Sequence, residues 1–286
     1  MVSVAIIGGY GGMGRLFAKI LKRNGFDVTI AGPRPEKGFD TAKELGVTFE
    51  ADNKKVASRA DLVIITVPII KTAEVIRQVV PVMKRGAAVM DLTSVKKEPC
   101  EAMEKTALAG VEIIGCHPVF GPTVSDFKGQ NIVLCKVRGS KSFSLMKAIF
   151  EKEGAHVTVC TPEEHDAAMG VVQGMTHFML ISAGMAMEDL KFDLQKSREF
   201  SSPIYNLILD IIGRILAQDP KLYAEIQLGN KKTKAVRGAY LNAAKRLEGI
   251  INSGNEEAFI KEMAAAAKHF GDTSGAMERT NKLLKK

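Results

Sequence analysis

The chain has 286 residues, is 46% hydrophobic and 25% charged, and so has the balance of a folded globular protein. Its formal charge is +8, but the basic residues are scattered, aromatics make up only 6% and Trp is absent, which argues against a nucleic-acid surface. The four cysteines, Cys100, Cys116, Cys135 and Cys160, are far apart and form no C-x-x-C pair, so neither a metal site nor a disulfide framework is expected. The start carries no signal pattern and no apolar run approaches the ~20 residues that span a bilayer, so a cytoplasmic protein without membrane contacts is expected.

In chain order, an apolar strand at 2–7 runs straight into Gly8-Gly9-Tyr10-Gly11-Gly12-Met13-Gly14. Gly9, Gly11 and Gly14 fit G-x-G-x-x-G. A helix pattern at 15–24 and a second strand at 27–31 follow. Strand, glycine turn, helix and strand in this order form a dinucleotide-binding unit: the glycines permit a tight turn, a close pyrophosphate and a close helix. Gly8, Gly9, Gly11, Gly12, Met13 and Gly14 are therefore the candidate cofactor residues. An NAD site usually carries a carboxylate at the end of the second strand. Here that position falls in Ala31-Gly32-Pro33-Arg34-Pro35, with no acid before Glu36. Arg34 either pairs with a 2′-phosphate, favouring NADP over NAD, or is simply exposed.

Helix and strand patterns then alternate. Strands are expected at 60–67, 87–92, 111–114, 131–137 and 156–160, and helices at 39–45, 71–83, 99–108 and 142–153. The alternation implies a doubly wound, mostly parallel α/β sheet of Rossmann type, and ligands bind such sheets at the carboxyl ends of the strands. Three of those ends carry chemistry: Thr66-Val67-Pro68, Thr93-Ser94-Val95-Lys96 and Gly115-Cys116-His117-Pro118. Val67 and Pro68 join the cofactor candidates. His117 is expected in a stiff turn at the tip of its strand, either as an ordinary loop histidine or as an imidazole able to exchange protons near neutral pH.

After residue 161 the strands stop. One long helix is expected at 163–190, with Gln173 and His177 four apart on one face. A second begins at Ser202-Pro203, an N-cap followed by proline. Its polar stripe, Asn206, Asp210, Gly213 and Arg214, either faces water with Asp210–Arg214 as an i,i+4 pair, or faces a pocket. Helices at 233–251 and 256–270 and a lysine-rich tail complete the chain. The expected division is a dinucleotide-binding domain over 1–160 and an all-α domain over 161–286, whose apolar helices suit a homodimer.

The motifs quoted so far, with Glu164-His165-Asp166, Gln173-Gly174-Met175-Thr176-His177 and Ile212-Gly213-Arg214, resemble the prephenate dehydrogenase family of tyrosine biosynthesis, archaeal members in particular. The resemblance implies oxidative decarboxylation of prephenate to 4-hydroxyphenylpyruvate, with hydride passing to a nicotinamide cofactor. It implies His117 as the catalytic acceptor, Ser94 as the serine that orients it, and Arg214 as the carboxylate-binding arginine. Lys96, His177, Gln173 and Tyr223 become further substrate contacts. The chain departs from the family at Val119, often Met, and at Asn206, where some relatives carry a second arginine. Control by tyrosine through an appended domain is not expected. Arogenate dehydrogenase, a generic NADP-linked reductase sharing only the first half, and a nonenzymatic NADP sensor are the competing readings.

Overall fold

The computed structural model describes residues 1–284, so Lys285 and Lys286 of the expected basic tail lie outside the described residues. Among these, eight strands form one sheet: β1 Ser3–Ile7, β2 Asp27–Ala31, β3 Thr48–Glu50, β4 Leu62–Ile65, β5 Ala88–Asp91, β6 Glu112–Pro118, β7 Asn131–Arg138 and β8 His156–Cys160. The helices of the same region are α1 Gly12–Arg23, α2 Pro35–Leu45, α3 Asn53–Ala57, α4 Ile69–Val79, α5 Lys97–Thr106, α6 Lys141–Lys152 and α7 Pro162–Met169. The strand order is β3-β2-β1-β4-β5-β6-β7-β8, parallel throughout except for the β6–β7 pair.

Every residue of β4 and β5 is buried, because helices cover both faces of the sheet, and such strands read as unbroken apolar runs. On one side α1 lays Leu16, Phe17, Ile20 and Leu21 into the core, each worth about 1.5–3 kcal/mol when fully buried. Phe17 meets Phe127 at a ring separation of 5.1 Å, which ties α1 to the segment before β7.

β6 corrects one expectation. Residues 115–118 are strand, not turn, because Gly115, Cys116, His117 and Pro118 pair with Cys135, Leu134, Val133 and Ile132 of β7. His117 is thus held by a ladder on its β7 side. The sequence around it, rich in Gly and Pro, conceals this because antiparallel pairing depends on a strand that comes later in the chain.

The remaining helices are α8 Thr176–Asp189, α9 Leu194–Ser197, α10 Pro203–Leu216, α11 Pro220–Gly229, α12 Thr233–Asn252, α13 Glu256–Phe270 and α14 Thr273–Leu284. The single helix expected at 163–190 is interrupted by a π-helical turn over Gly170–Met175. A Cβ on Gly174 would lie 2.8 Å from Thr233 Cγ2, so the backbone of this turn lies hard against α12. Ser202 caps α10 through Tyr205 N, as its Ser-Pro start implies.

The chain divides into two compact units, Met1–Met169 with Ala224–Lys231, and Gly170–Tyr223 with Lys232–Lys286. This differs from a boundary at residue 160. α7 belongs with the sheet because its His165 and Asp166 bond to His117 and to backbone amides at the start of α5. Residues 224–231 return to it because Glu225 Oε2 accepts from Ile69 N at 2.9 Å and Asn230 Nδ2 donates to the Asp166 carbonyl at 2.8 Å.

Candidate active site

The carboxyl ends of β1, β4, β5 and β6 lie side by side on one edge of the sheet. At the end of β1, Gly8 has φ +83°, and a Cβ there would approach Thr66 O at 3.0 Å. A Cβ on Gly9 would lie 2.6 Å from the Ile30 side chain, and one on Gly14 would lie 2.6 Å from Gly9 Cα. These contacts explain the glycines locally: the turn is a cradle that side chains would fill. α1 starts without a side-chain cap and without an acid in its first turn, which leaves its amino end suited to an anion. The cradle therefore fits a dinucleotide pyrophosphate. The His117 strand continues into it, since a Cβ on Gly12 would lie 2.7 Å from Pro122. From β4, Thr66 Oγ1 donates to Gly8 O at 3.1 Å; Val67, half-buried, and Pro68, exposed, follow on the same edge.

His117 is 2% exposed. Its Nδ1 lies 2.8 Å from His165 Nε2, and His165 Nδ1 lies 2.8 Å from Asp166 Oδ1. Asp166 also accepts the amides of Lys96 at 2.8 Å and Lys97 at 3.1 Å. Burial, then His165 and the Lys96 ammonium, hold His117 well below the ordinary histidine value. It is neutral near pH 7 and therefore a base. Burial raises Asp166, but the bonds from His165 and the two amides outweigh it, and the carboxyl sits below its ordinary value. Ser94 is half-buried at the end of β5, and among the described residues no hydrogen bond joins it to His117. The partner of His117 is His165. The Glu164-His165-Asp166 motif was the available signal for it, but only the fold brings α7 to the end of β6.

Lys96 corrects another expectation. Its Nζ bonds Asp91 Oδ2, donates to Cys116 O at 2.8 Å and lies 3.5 Å from Thr93 Oγ1, at zero exposure. With its three donors engaged, it is not free to contact a substrate anion. It neutralises Asp91 and pins the carbonyl beside His117. Burial pushes the thiols of Cys100 and Cys116 far up, so neither serves as a nucleophile near neutral pH.

In the helical unit, His177 meets the Tyr223 ring edge-on at 4.6 Å. Burial lowers the His177 pKa and raises that of Tyr223, where the Arg214 charge opposes the rise. Gln173 Oε1 and His177 Nδ1 are sealed from solvent with no partner among the described residues, so this face presents unused hydrogen-bonding capacity. The i,i+4 pair open to Asp210 is not made. Asp210 accepts from Arg198 at 2.9 Å and Asn206 accepts from Arg198 at 3.2 Å. Arg214 is exposed, has no carboxylate partner among the described residues, and lines a cavity with Gly184, Met187 and Ile212. In the α/β unit, Arg34 is exposed at the start of α2, beside Gly32, whose Cβ would strike the Tyr10 ring at 2.6 Å.

Two family profiles match the chain: "Prephenate dehydrogenase, nucleotide-binding domain" over residues 17–159 and "Prephenate dehydrogenase, dimerization domain" over 161–265. The first match begins after the glycine turn, whose assignment rests on its own geometry. The chain is 42% identical over 273 residues to a probable arogenate/prephenate dehydrogenase of Methanocaldococcus jannaschii, covering 94% of this chain and 61% of that protein. It thus spans less than two thirds of that relative's length. It is 32% identical over 269 residues to the T-protein of Enterobacter agglomerans, covering 94% of this chain and 68% of that one. Its fold is that of the prephenate dehydrogenase of Aquifex aeolicus, solved with hydroxyphenyl propionate and NAD+, at a TM-score of 0.78 and 23% identity over 94% of this chain and 97% of that one.

Proposed function

This chain belongs to the prephenate dehydrogenase family, and from that premise we propose that it catalyses the oxidative decarboxylation of prephenate to 4-hydroxyphenylpyruvate. The observation that carries the reading is the placement of a neutral, buried His117 on the sheet edge that holds the glycine cradle. A nicotinamide dinucleotide bound by Gly8, Gly9, Gly11, Gly12, Met13, Gly14, Val67 and Pro68 supplies the hydride acceptor. His117 takes the hydrogen bond of the carbinol hydroxyl and with it the proton demand of the step, as a general base poised in neutral form. Loss of the ring carboxylate as CO2 aromatises the ring, so the chain need not activate that group further. Ser94, half-buried at the end of β5, is assigned a hydrogen bond to the carbinol or to His117 on binding.

The substrate is a dianion and calls for a fixed cation. Arg214 meets this need, because a guanidinium grips a carboxylate through two parallel bonds and this one lacks an internal carboxylate partner. His177, Gln173 and Tyr223 supply the polar contacts on the same unit. NADP is favoured over NAD because no acid follows β2 and Arg34 is exposed there. The apolar faces of the helical unit suit a homodimer, in keeping with the dimerization profile. The name of the Methanocaldococcus relative makes arogenate, the amino analogue, the second substrate to test.

The deciding assay follows absorbance of reduced nicotinamide with prephenate or arogenate crossed with NAD or NADP. Turnover is expected with prephenate and highest with NADP. No turnover in any of the four combinations would reject the assignment, and turnover with arogenate alone would transfer it to the amino analogue.

A further inference from the structure

We propose that His165 and Asp166 are positioning residues that set the tautomer of His117, keeping its hydrogen on Nδ1 and its lone pair on Nε2. The catalytic meaning of this rests on the reading of His117 as the proton acceptor, but the bonding argument stands apart from it. It starts at Asp166. Oδ1 accepts from Lys96 N and Oδ2 from Lys97 N, at 2.8 and 3.1 Å. Backbone amides can only donate, so both oxygens are committed as acceptors. Lys96 caps α5 without a side-chain cap of its own, and Asp166 performs that task from α7, where a carboxylate is favoured by the helix's amino end.

The hydrogen in the 2.8 Å contact between Asp166 and His165 Nδ1 therefore belongs to the imidazole. We take His165 to carry one hydrogen, the one on Nδ1, so that its Nε2 offers a lone pair. That lone pair faces His117 Nδ1 at 2.8 Å. Two lone pairs cannot face each other at that distance, so His117 Nδ1 carries the hydrogen. Its Nε2 has no protein partner among the described residues and is left as the basic atom. Which ring nitrogen of a histidine is free is set by the bond the other one makes. The same reasoning gives the chain a second task. When His117 Nε2 gains a proton, its Nδ1–H bond to His165 is already in place, and the new charge is backed by Asp166 one ring away. With His117 2%, His165 1% and Asp166 7% exposed, water does not compete for these bonds.

A purely structural role, in which the two residues only fasten α7 and α5 to β6, predicts the same contacts but no control of the tautomer. Nuclear magnetic resonance separates the two. The chain has five histidines, so long-range proton–nitrogen correlations on full-length protein labelled with 15N-histidine are resolvable, with His117 assigned by its loss in His117→Asn. The wild type should show His117 with hydrogen on Nδ1 and a bare Nε2. His165→Phe should release His117 toward the Nε2–H form and lower kcat about 10- to 100-fold, a fraction of the 10²–10⁴ that a general base contributes, with substrate KM held within about twofold. His165→Gln, whose amide oxygen can accept from Nδ1, should recover part of the kcat. A wild-type His117 carrying hydrogen on Nε2 would overturn the proposal, as would a His165→Phe protein that keeps the Nδ1–H form and full kcat. If that variant does not fold, the wild-type spectrum alone decides. The spectrum is read without substrate, so failure of the prephenate assay and failure of the tautomer assignment are separate results.

Discussion

The two compact units differ in how the polar groups of their candidate sites are bonded. In the α/β unit, Asp91, Lys96, His117, His165 and Asp166 are all buried, and each is bonded to another member or to backbone. In the helical unit, among the described residues, Gln173 and His177 each hold a sealed atom without a partner, and Arg214 stands without a carboxylate. The apolar pattern follows the same division. β4 and β5 are fully buried, whereas α13 and α14 bury none of their residues and expose Ile260, Met263, Phe270 and Met277. An unpaired buried polar atom costs about 1–3 kcal/mol. The first unit also holds buried atoms without a partner among the described residues, on Asn53, Asp91, Arg138 and Glu225, but the cluster around His117 is bonded internally. The second presents groups whose partners, by the proposal above, are a substrate and a second copy of the chain.

The sharpest test of this contrast replaces the histidine of the internally bonded cluster. His117→Asn should lower kcat by about 10²–10⁴-fold while cofactor affinity, read by nicotinamide fluorescence, stays near wild type. Near-normal turnover would remove His117 from its role. Next comes Lys96→Met, which leaves Asp91 buried and unpaired. It should destabilise the protein by about 3–5 kcal/mol in urea unfolding, a cost expected of an internal partner and not of a substrate contact. A stability loss below about 1 kcal/mol, with a raised KM, would restore Lys96 to the substrate site.

Arg214→Gln should do the reverse. A charge-assisted bond of about 1.5–3 kcal/mol corresponds to roughly a 10- to 100-fold rise in substrate KM, with unfolding unchanged. An unaltered KM would make this arginine a surface residue.

Acid probes the buried imidazoles. The unfolded chain binds protons on histidine near its usual value of about 6.5, while folded His117 resists until well below it. The stability is therefore whole above that pH and declines as pH falls through it, by up to about 1.4 kcal/mol per pH unit for this group. His177, lowered by burial, acts in the same direction. Urea midpoints taken from about pH 7.5 down to 5.5 should show the decline, and His117→Asn should flatten it; equal slopes in both proteins would contradict the burial effect. The smallest effect is at an exposed charge. Arg34→Ala should weaken NADP several-fold, by about 1 kcal/mol, and leave NAD unchanged; equal losses for both would remove the 2′-phosphate argument.

Much of the α/β unit could be read directly from the chain. The glycine turn, the alternation and the strand ends are local signals, because a parallel sheet covered on both faces demands apolar runs, and a pyrophosphate cradle demands missing side chains at fixed spacing. Helix starts such as Ser202-Pro203 are legible for the same reason: capping involves neighbours three residues apart. Less legible were the π-helical turn at Gly170–Met175, which packs against α12, and the return of residues 224–231 to the first unit. The family resemblance marked His117, Ser94 and Arg214, yet it placed Lys96 with the substrate, because a lysine in a motif looks the same whether its ammonium faces a ligand or a buried aspartate.

By itself, then, the sequence determined a Rossmann-type unit followed by helices, a nicotinamide cradle and a histidine at the end of a strand. The tertiary structure alone decided that His117 sits inside β6 and not in a turn, that Lys96 is an internal counter-ion, and that His165 with Asp166 stands behind the imidazole. The reason is range. Periodicity, capping and glycine turns are written within a few residues, whereas the protonation of a buried imidazole depends on donors and acceptors that folding brings from α7, β5 and the start of α5, up to 48 residues away in the chain.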